Sequence, residues 1–241
     1  MECLRPDWAA PAQVQALVSL REGGASGGPY ASLNLGDHVG DTPAAVADNR
    51  ARLSDCFKLP SKPRWLEQVH GRVAVAAHAL TAPRPQADAA WTNVRGVVCA
   101  VLTADCLPIL LCDRAGTWVA AVHAGWRGLA EGVIASALEH FPGNGELLAW
   151  IGPGIGPGAY RVDDAFRARF MALDADYAPA FVRHADGWHC DLGFIASQQL
   201  TLAGIRAITR YPGCTHAEPD HFFSHRRDGV SGRFASLIWL A

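Results

Sequence analysis

The order of apolar and polar residues along the chain predicts a protein that mixes helices and strands. Apolar residues recur at helical spacing over residues 42–59, 129–141, 163–173 and 195–203. Short apolar or β-branched runs over residues 97–102, 109–112, 117–122, 147–151, 205–209 and 234–240 predict strands. Because helices and strands do not alternate regularly, the pattern favours an α+β fold with mixed β-sheets, with residues 1–241 as one domain.

Two further segments predict paired strands. The stretch "WLEQVHGRVAVAA" reads as one strand or two around His70 and Gly71, and "FVRHADGWHCDL" as a hairpin that turns at Asp186 and Gly187. Residues 21–41 are rich in glycine and lack periodicity, which predicts a long loop, either ordered or flexible.

The stretch "VLTADCLPILLCD", residues 101–113, resembles a buried β-hairpin with a charge and a thiol in its middle. Proline cannot donate to a sheet ladder, so we expect the chain to break or bend at Leu107 and Pro108. Asp105 and Cys106 then lie at the end of a strand, where functional sites are often built.

Composition excludes several classes of protein. Half of the 241 residues are hydrophobic and 18% are charged, which is enough apolar material for a large core. The net charge of -2 and the lack of a basic block argue against a nucleic-acid partner. No apolar run predicts a signal peptide or a membrane span, so we expect a cytoplasmic protein without a membrane partner. The pattern makes no prediction of oligomeric state.

The seven cysteines are odd in number and form no C-x-x-C pair, so a disulfide scaffold is not expected. His70 in "QVHG", Cys106 in "ADCLP" and His123 in "VHAGWRG" each end an apolar run within two residues of glycine or proline. Two imidazoles and a thiolate form a zinc ligand set that leaves the fourth position open, as catalytic zinc requires. Their separations are too long for a zinc finger, so the fold must bring them together.

The same residues permit two other interpretations. Cys106 can be an ordinary core thiol, with histidines that cap loops. It can also be a metal-free nucleophile with a histidine as its base, oriented by Asp105.

Candidate anion-binding residues follow other strands. Arg127 in "GWRG" lies at the start of a helix. Arg226, Arg227 and Arg233 cluster with His225 after two aromatic residues in "FFSHRRDGVSGR", a combination suited to phosphate and a stacked base. The alternative for each segment is a surface turn whose arginines are exposed to solvent and bind no ligand. Asn34 in "SLNLG" is by itself a turn former, and we include it among the candidate substrate-binding residues.

Several long strings are similar to the laccase-domain family, also called polyphenol oxidase or peptidoglycan-editing-factor proteins. The similarity extends in order from about residue 19 to the end of the chain, through "GPYASLNLGDHVGD", "QVHG", "TADCLPILLC", "VHAGWRGL", "IGPGIGP", "FFSHRRD" and "GRFASLIWL". Thr42, Arg161 and His225 depart from the family pattern, which puts substrate preference in doubt but touches none of the three proposed metal ligands.

The resemblance implies a cytoplasmic, zinc-containing purine nucleoside phosphorylase that acts on adenosine, inosine and methylthioadenosine with phosphate, and has a side activity as an adenosine deaminase. It also implies a layered α+β sandwich related to bacterial toxin deamidase domains, with metal ligands at His70, Cys106 and His123. Members of the family have also been described as copper-dependent phenol oxidases and as editing hydrolases of peptidoglycan precursors.

Physical chemistry ranks these activities. A multicopper oxidase needs many imidazoles around its metals, and this chain has ten histidines without one His-x-His pair. Phosphorolysis needs cationic groups for phosphate, which Arg127, Arg226 and Arg227 can provide. Deamination needs metal-activated water and a proton carrier, for which Asp105 is the candidate. We therefore favour zinc-dependent phosphorolysis. The alternatives are a Cys106/His amide hydrolase, a copper-dependent oxidase and a non-catalytic metal-binding module.

Overall fold

A computed structural model describes residues 1–82 and 84–241 of the chain. In chain order its strands are β1 Cys3–Leu4, β2 Val14–Ser19, β3 Ala74–Ala76, β4 Ala89–Thr92, β5 Cys99–Thr103, β6 Leu107–Asp113, β7 Val119–Ala124, β8 Leu147–Ile151, β9 Arg161–Val162, β10 Phe181–His184, β11 Gly187–Cys190, β12 Ala207–Arg210 and β13 Phe234–Leu240. Its α-helices are α1 Pro43–Phe57, α2 Trp126–Glu131, α3 Val133–Leu138, α4 Asp164–Leu173, α5 Leu192–Leu202 and α6 His225–Asp228. Short 3-10 helices span Gly28–Tyr30, Ala77–Ala79 and Ala175–Ala180.

The strands form mixed and antiparallel sheets, so the predicted α+β class is confirmed. A six-stranded sheet has the order β12-β8-β6-β7-β4-β3, and a four-stranded sheet has the order β1-β2-β13-β5. A small third sheet has the order β10-β11-β9. Among the described strands, β3 with β4 and β8 with β12 are the parallel pairs, and the other strand pairs are antiparallel. None of the described helices is long and apolar enough to cross a membrane.

Successive side chains of a strand point to opposite faces of its sheet, which explains how the sheets and helices pack in layers. In β6, Leu110 and Cys112 join a core shared with the four-stranded sheet, whereas Ile109 and Leu111 face the core that contains residues of α2, α3 and α5. The outer face of the four-stranded sheet packs against Leu53 of α1 and residues of the 21–41 loop. Because β6 is buried on both faces, it reads as a continuous apolar run.

Residues 101–113 do not form the predicted hairpin. β5 pairs with β13, whereas β6 pairs with β7 and β8 in the other sheet. The chain therefore crosses between sheets at residues 104–106, and the break lies there instead of at Leu107 and Pro108. Pro108 is accommodated near the start of β6, where its carbonyl accepts a hydrogen bond from the Gly152 N–H at 2.8 Å. Hydrophobic periodicity identifies a buried strand but not its partner, which explains the error.

The predicted helix over residues 129–141 is two helices. Gly132 adopts a left-handed conformation with φ of 85°, which ends α2 and begins α3. α2 also starts earlier than predicted, at Trp126, directly after Gly125. His123, near the end of β7, is therefore followed closely by Gly125 and the N-terminus of α2.

Other predicted elements are confirmed with shifted ends. α1, α4, β8 and β13 occur where the pattern predicts them, and the Asp163 side chain caps α4 by accepting from the Phe166 N–H at 2.7 Å. α5 begins three residues early because Asp191 caps it. The hairpin at 181–190 pairs His184 with Gly187, so it turns one residue earlier than predicted.

The remaining segments differ more. The stretch around His70 contains only β3 and isolated bridges at Arg64 and Glu67, and β2 and β4 were not predicted. The 21–41 loop is ordered by hydrogen bonds: the Asn49 side-chain amide of α1 donates to Ser26 at 2.9 Å and to the Asn34 carbonyl at 2.8 Å.

Candidate active site

His70, Cys106 and His123 come together, as the sequence analysis predicts. His123 lies near the end of β7, and Cys106 directly precedes β6, the neighbouring strand, in which Pro108 pairs with His123. His70 reaches the same point from the loop before β3. The potential ligand atoms of the three side chains all lie within 4.8 Å of one another. Among the described residues this is the only group of three or more such side chains that could hold a metal ion.

The donor set fits a divalent ion that accepts nitrogen and sulfur ligands. The imidazole rings of His70 and His123 meet edge to face, with centroids 4.8 Å apart. Nδ1 of His123 lies 2.8 Å from a carboxylate oxygen of Asp88, which leaves Nε2 for the ion. Three protein ligands are the number found in catalytic zinc sites.

Gly125 makes room for this group. A Cβ atom at position 125 would lie 3.0 Å from Cys106 Sγ and 3.1 Å from His70 Cδ2, closer than side chains normally approach. The backbone of Gly125 has φ of -69°, which any residue adopts. A side chain at position 125 would therefore crowd Cys106 and His70, whereas the backbone conformation does not demand glycine.

Asp88 is a residue of this site that the sequence analysis missed. Its side chain is fully buried at the start of β4, beside His123. Burial alone would raise the pKa of its carboxyl, but hydrogen bonds from His123, Gly71 and His70 outweigh burial and lower that pKa. A charge next to the small-residue run "ADAAW" was the available signal, of the same kind that singled out Asp105. The sequence analysis considered Asp105 for orienting a histidine, but the carboxylate that contacts a histidine here is Asp88, at His123.

The thiol and the imidazole of the site perturb each other. Burial raises the pKa of Cys106, but the neighbouring His123 and His70 more than offset burial and lower the pKa to about 6. Burial lowers the pKa of His123, but Cys106 and Asp88 outweigh it and raise the pKa to about 9. In the absence of a metal, the pair therefore favours a thiolate beside an imidazolium at neutral pH.

Asp105 holds the crossing between the sheets. One carboxylate oxygen accepts from the Thr215 hydroxyl at 2.6 Å, and the other accepts from the backbone N–H of Arg226 at 2.6 Å. Its backbone has φ of 88°, and its carbonyl accepts from the Ile155 N–H at 2.9 Å. The residue thus connects the Cys106 turn to α6 and to the 152–158 loop.

A cavity of about 390 Å³ opens onto the three converging side chains. Its volume is within the range of small-molecule sites. Arg127 and Arg226 line it, as the sequence analysis proposes for substrate-binding residues, and so does Asp105. The Arg226 guanidinium lies 4.9 Å from the centroid of the Tyr160 ring and donates to the Arg161 carbonyl at 3.0 Å.

Arg227 and Asn34 are not in the cavity lining. The Arg227 guanidinium donates to the carbonyls of Thr215, His216 and Phe222 and pairs with Asp228. Asn34 is fully buried, and its side-chain oxygen accepts from the Gly36 and Arg233 N–H groups. The charge of Arg227 made it a candidate for phosphate binding, but its donors are occupied by main-chain oxygens and by the Asp228 carboxylate.

The cavity also contains residues that the sequence analysis did not propose as site residues. They include His38, Gln68 and Tyr160, and the lining also contains His225 and Arg233 from the cluster that the sequence analysis considers for phosphate. The Gln68 side chain pairs with the backbone of Leu102, donating at 2.8 Å and accepting at 2.7 Å, which fixes the loop before His70 to β5. Burial lowers the pKa of Arg233, although Cys106 and Asp105 oppose that effect.

A larger groove of about 700 Å³ adjoins this cavity and shares Tyr160 and Arg226 with it. The groove lies between α4 and the β10–β11 hairpin and includes Trp126 and Trp188. It does not contain the three converging ligand side chains. We therefore place the chemistry in the smaller cavity, where donor atoms with shifted pKa values converge.

Comparisons with known proteins agree over nearly the whole chain. A family model described as multi-copper polyphenol oxidoreductase laccase matches residues 15–241. The purine nucleoside phosphorylase YfiH of Escherichia coli strain K12 is 49% identical over 236 residues, which cover 98% of this chain and 97% of that protein. A Pseudomonas aeruginosa protein named purine nucleoside phosphorylase is 47% identical over 241 residues, with 98% of each chain covered. A crystal structure of a Neisseria meningitidis protein superposes with a TM-score of 0.94 at 44% identity, covering 100% of this chain and 99% of that chain.

Proposed function

We propose that the chain, which belongs to the multi-copper polyphenol oxidoreductase laccase family, is a zinc-dependent purine nucleoside phosphorylase. The observation that carries the proposal is the similarity over nearly the full chain to relatives that bear this name. The cavity beside His70, Cys106 and His123 supports it, because it combines a metal-ligand set with cationic side chains.

We propose adenosine, inosine and methylthioadenosine as substrates, with inorganic phosphate as the second reactant. In phosphorolysis a phosphate oxygen bonds to C1′ of the ribose while the bond from C1′ to the purine nitrogen breaks. The purine leaves with that electron pair and takes up the proton that phosphate gives up. The other product is ribose 1-phosphate, or 5-methylthioribose 1-phosphate when methylthioadenosine is the substrate. Arg127, Arg226 and Arg233 provide positive charge around the cavity for the phosphate.

The metal proposal rests on the donor set. His70, Cys106 and His123 would hold zinc, which when bound supplies a Lewis acid within the cavity. Among the described residues the group contains two imidazoles, fewer than a multicopper cluster needs, so we propose copper only as an alternative occupant.

An adenosine deaminase side activity, with Asp105 as its proton carrier, stays a prediction. Both carboxylate oxygens of Asp105 already accept hydrogen bonds from Thr215 and Arg226. To take up a proton, the residue would have to give up one of them. We therefore propose that in phosphorolysis Asp105 positions Arg226 and does not transfer a proton.

One observation favours a second candidate, an amide hydrolase that acts on peptidoglycan precursors. Asp88 contacts Nδ1 of His123, and the lowered pKa of Cys106 beside His123 gives the order carboxylate, imidazole and thiolate of a cysteine nucleophile. His70 is the argument against it, because a second imidazole at the thiolate serves metal binding and has no place in that triad.

The test is an assay of purified protein with adenosine, inosine and methylthioadenosine, with and without phosphate, alongside metal analysis. We expect one zinc ion per chain and phosphate-dependent release of the purine and the corresponding sugar 1-phosphate. An active enzyme without metal that is inactivated by alkylation of Cys106 would support the hydrolase instead. Metal without turnover of a nucleoside or an amide would indicate a non-catalytic metal-binding module.

A further inference from the structure

One buried carboxylate, that of Asp88, contacts the two histidines of the metal site in different ways. It reaches the side chain of His123 and the backbone of His70. We propose that Asp88 is a positioning residue that presets both histidines for the metal, so that metal affinity depends on it. The inference rests on the metal site of the proposed function and assigns a residue outside the ligand set.

The contact with His123 determines which ring nitrogen is available. Asp88 is 0% exposed and His123 is 3% exposed at the side chain, and the Nδ1 to Oδ1 distance is 2.8 Å. An ionised carboxylate only accepts hydrogen bonds, so Nδ1 must carry a proton. The lone pair of Nε2, on the Cys106 side of the ring, is then the one that can bind a metal.

The contact with His70 determines the path of its loop. His70 has φ of 60°, a left-handed conformation that is uncommon outside glycine. The N–H of His70 donates to Oδ1 of Asp88 at 2.9 Å, and that of Gly71 donates to Oδ2 at 2.7 Å. The Val69 N–H adds a longer bond to Oδ2 at 3.3 Å. Three consecutive N–H groups around one carboxylate hold the turn that presents the His70 ring.

The backbone of Asp88 is equally fixed. Its carbonyl accepts from the His123 N–H at 2.7 Å, and the following residue, Ala89, pairs with Val122 of β7. Asp88 therefore moves with the sheet that carries His123, and the His70 loop is attached to that sheet through the carboxylate. Ligands from distant parts of the chain are thus held before an ion arrives.

The decisive variant is Asp88→Asn, which keeps the size of the side chain. If the asparagine NH₂ faces His123, Nδ1 must accept the hydrogen bond and the ring proton moves to Nε2. A proton on Nε2 occupies the atom that would otherwise bind the metal. If the asparagine oxygen faces His123, the NH₂ opposes the donors of Gly71 and Val69. We expect zinc affinity, measured by competition with a chelator, to fall by about 10- to 100-fold. The absorption spectrum of the cobalt-substituted variant should also shift, since ligand geometry changes.

The matched control is Asp113→Asn. Asp113 is a buried aspartate on the same sheet that likewise accepts backbone N–H groups, from Thr117 at 2.7 Å and from Trp118 at 2.8 Å. We expect this variant to lose stability while its zinc affinity and cobalt spectrum stay at wild-type values. Equal affinity in Asp88→Asn and wild type would overturn the inference and leave the proposed phosphorolysis untouched. A wild-type protein that binds no metal would overturn the inference and the metal part of the proposed function together.

A measurement on the wild type covers the case in which Asp88→Asn does not fold. In zinc-loaded protein with ¹⁵N-labelled histidine, we expect His123 to bind the metal through Nε2 and to keep a proton on Nδ1. Coordination through Nδ1 would contradict the proposed role of Asp88.

Discussion

Both ends of the β6–β7 hairpin contain aspartates whose carboxylates accept hydrogen bonds, but the partners of these carboxylates differ. At one end Asp113 accepts from the backbone and hydroxyl of Thr117, at 2.7 and 2.6 Å, within the turn that joins the strands. At the other end Cys106 and His123 meet beside Asp88 and Asp105. Asp88 contacts His123, which is 35 positions away along the chain, and Asp105 contacts Thr215, which is 110 positions away. The first end is a local structure and the second is assembled by the fold, so a comparison of variants can separate stability from function.

The largest expected difference is between two cysteines of this hairpin. Cys106→Ala removes a proposed metal ligand, so we expect the metal to be lost and phosphorolysis to fall by at least about 10³-fold. Cys112→Ala truncates a fully buried thiol near the local end, so we expect lower stability with wild-type metal content. Metal analysis, nucleoside turnover and thermal unfolding measure both. Metal retained in Cys106→Ala would contradict the ligand assignment.

The next largest effect is expected from Gly125→Ala. The added methyl group would approach Cys106 Sγ at 3.0 Å and displace the thiolate or the His70 ring, so we expect metal affinity to fall by about 10- to 100-fold. Gly145→Ala is the control, since a Cβ atom at position 145 meets nothing within 4 Å. Wild-type metal affinity in Gly125→Ala would contradict the expectation that crowding at Cys106 and His70 disturbs the metal ligands.

A smaller effect is expected at Asp105. Asp105→Asn weakens the attachment of α6, so we expect the KM for phosphate to rise by about 10-fold, equivalent to about 1.4 kcal/mol. Thr215→Val removes the other partner of Asp105 and should act in the same direction, whereas Asp113→Asn should change stability without changing KM. Steady-state kinetics with varied phosphate tests all of them. A fall in kcat of about 10²-fold or more in Asp105→Asn alone would instead identify a proton carrier.

The smallest expected effect is a difference in thiol reactivity in the metal-free protein. His123 and His70 lower the pKa of Cys106 to about 6 against the effect of burial, whereas burial raises the pKa of Cys112 to about 12. Alkylation of Cys106 should therefore be fast at neutral pH and should be lost as the pH falls through about 6. Cys112 should stay unreactive throughout this range.

Peptide mass spectrometry after treatment with iodoacetamide resolves these thiols from the exposed Cys56. In His123→Asn the midpoint for Cys106 should move to higher pH, because the principal group that offsets burial is removed. The same midpoint in this variant and in the wild type would contradict the proposed pairing.

Elements with strong local signals were predictable. α4 has an aspartate cap at Asp163 followed by apolar residues at helical spacing, and β13 is a continuous apolar run. β4 was missed because it has only four residues, "AAWT", of which the two alanines carry little strand preference. The helix after His123 was predicted as one because the apolar spacing continues across Gly132, although that residue breaks the backbone hydrogen-bonding pattern.

The site was predictable only in part, because the sequence pattern shows residue types and local positions but not contacts between distant residues. Residue type and position at the ends of apolar runs were enough to select His70, Cys106 and His123. Asp88 and Arg227 show what is missing from such a pattern. The first is a lone acidic residue whose importance depends on four donors from distant residues. The second is a charged residue whose donors are occupied by carbonyls.

The sequence by itself determined the fold class, most helices and strands, and the chemical types of the metal donors, because caps, periodicity and ligand chemistry are properties of single residues and near neighbours. The tertiary structure alone decided which strands pair, where the chain crosses between sheets at residues 104–106, and which carboxylate contacts which histidine. Those outcomes depend on contacts between residues far apart along the chain, and the energy of such contacts is not encoded in any local pattern.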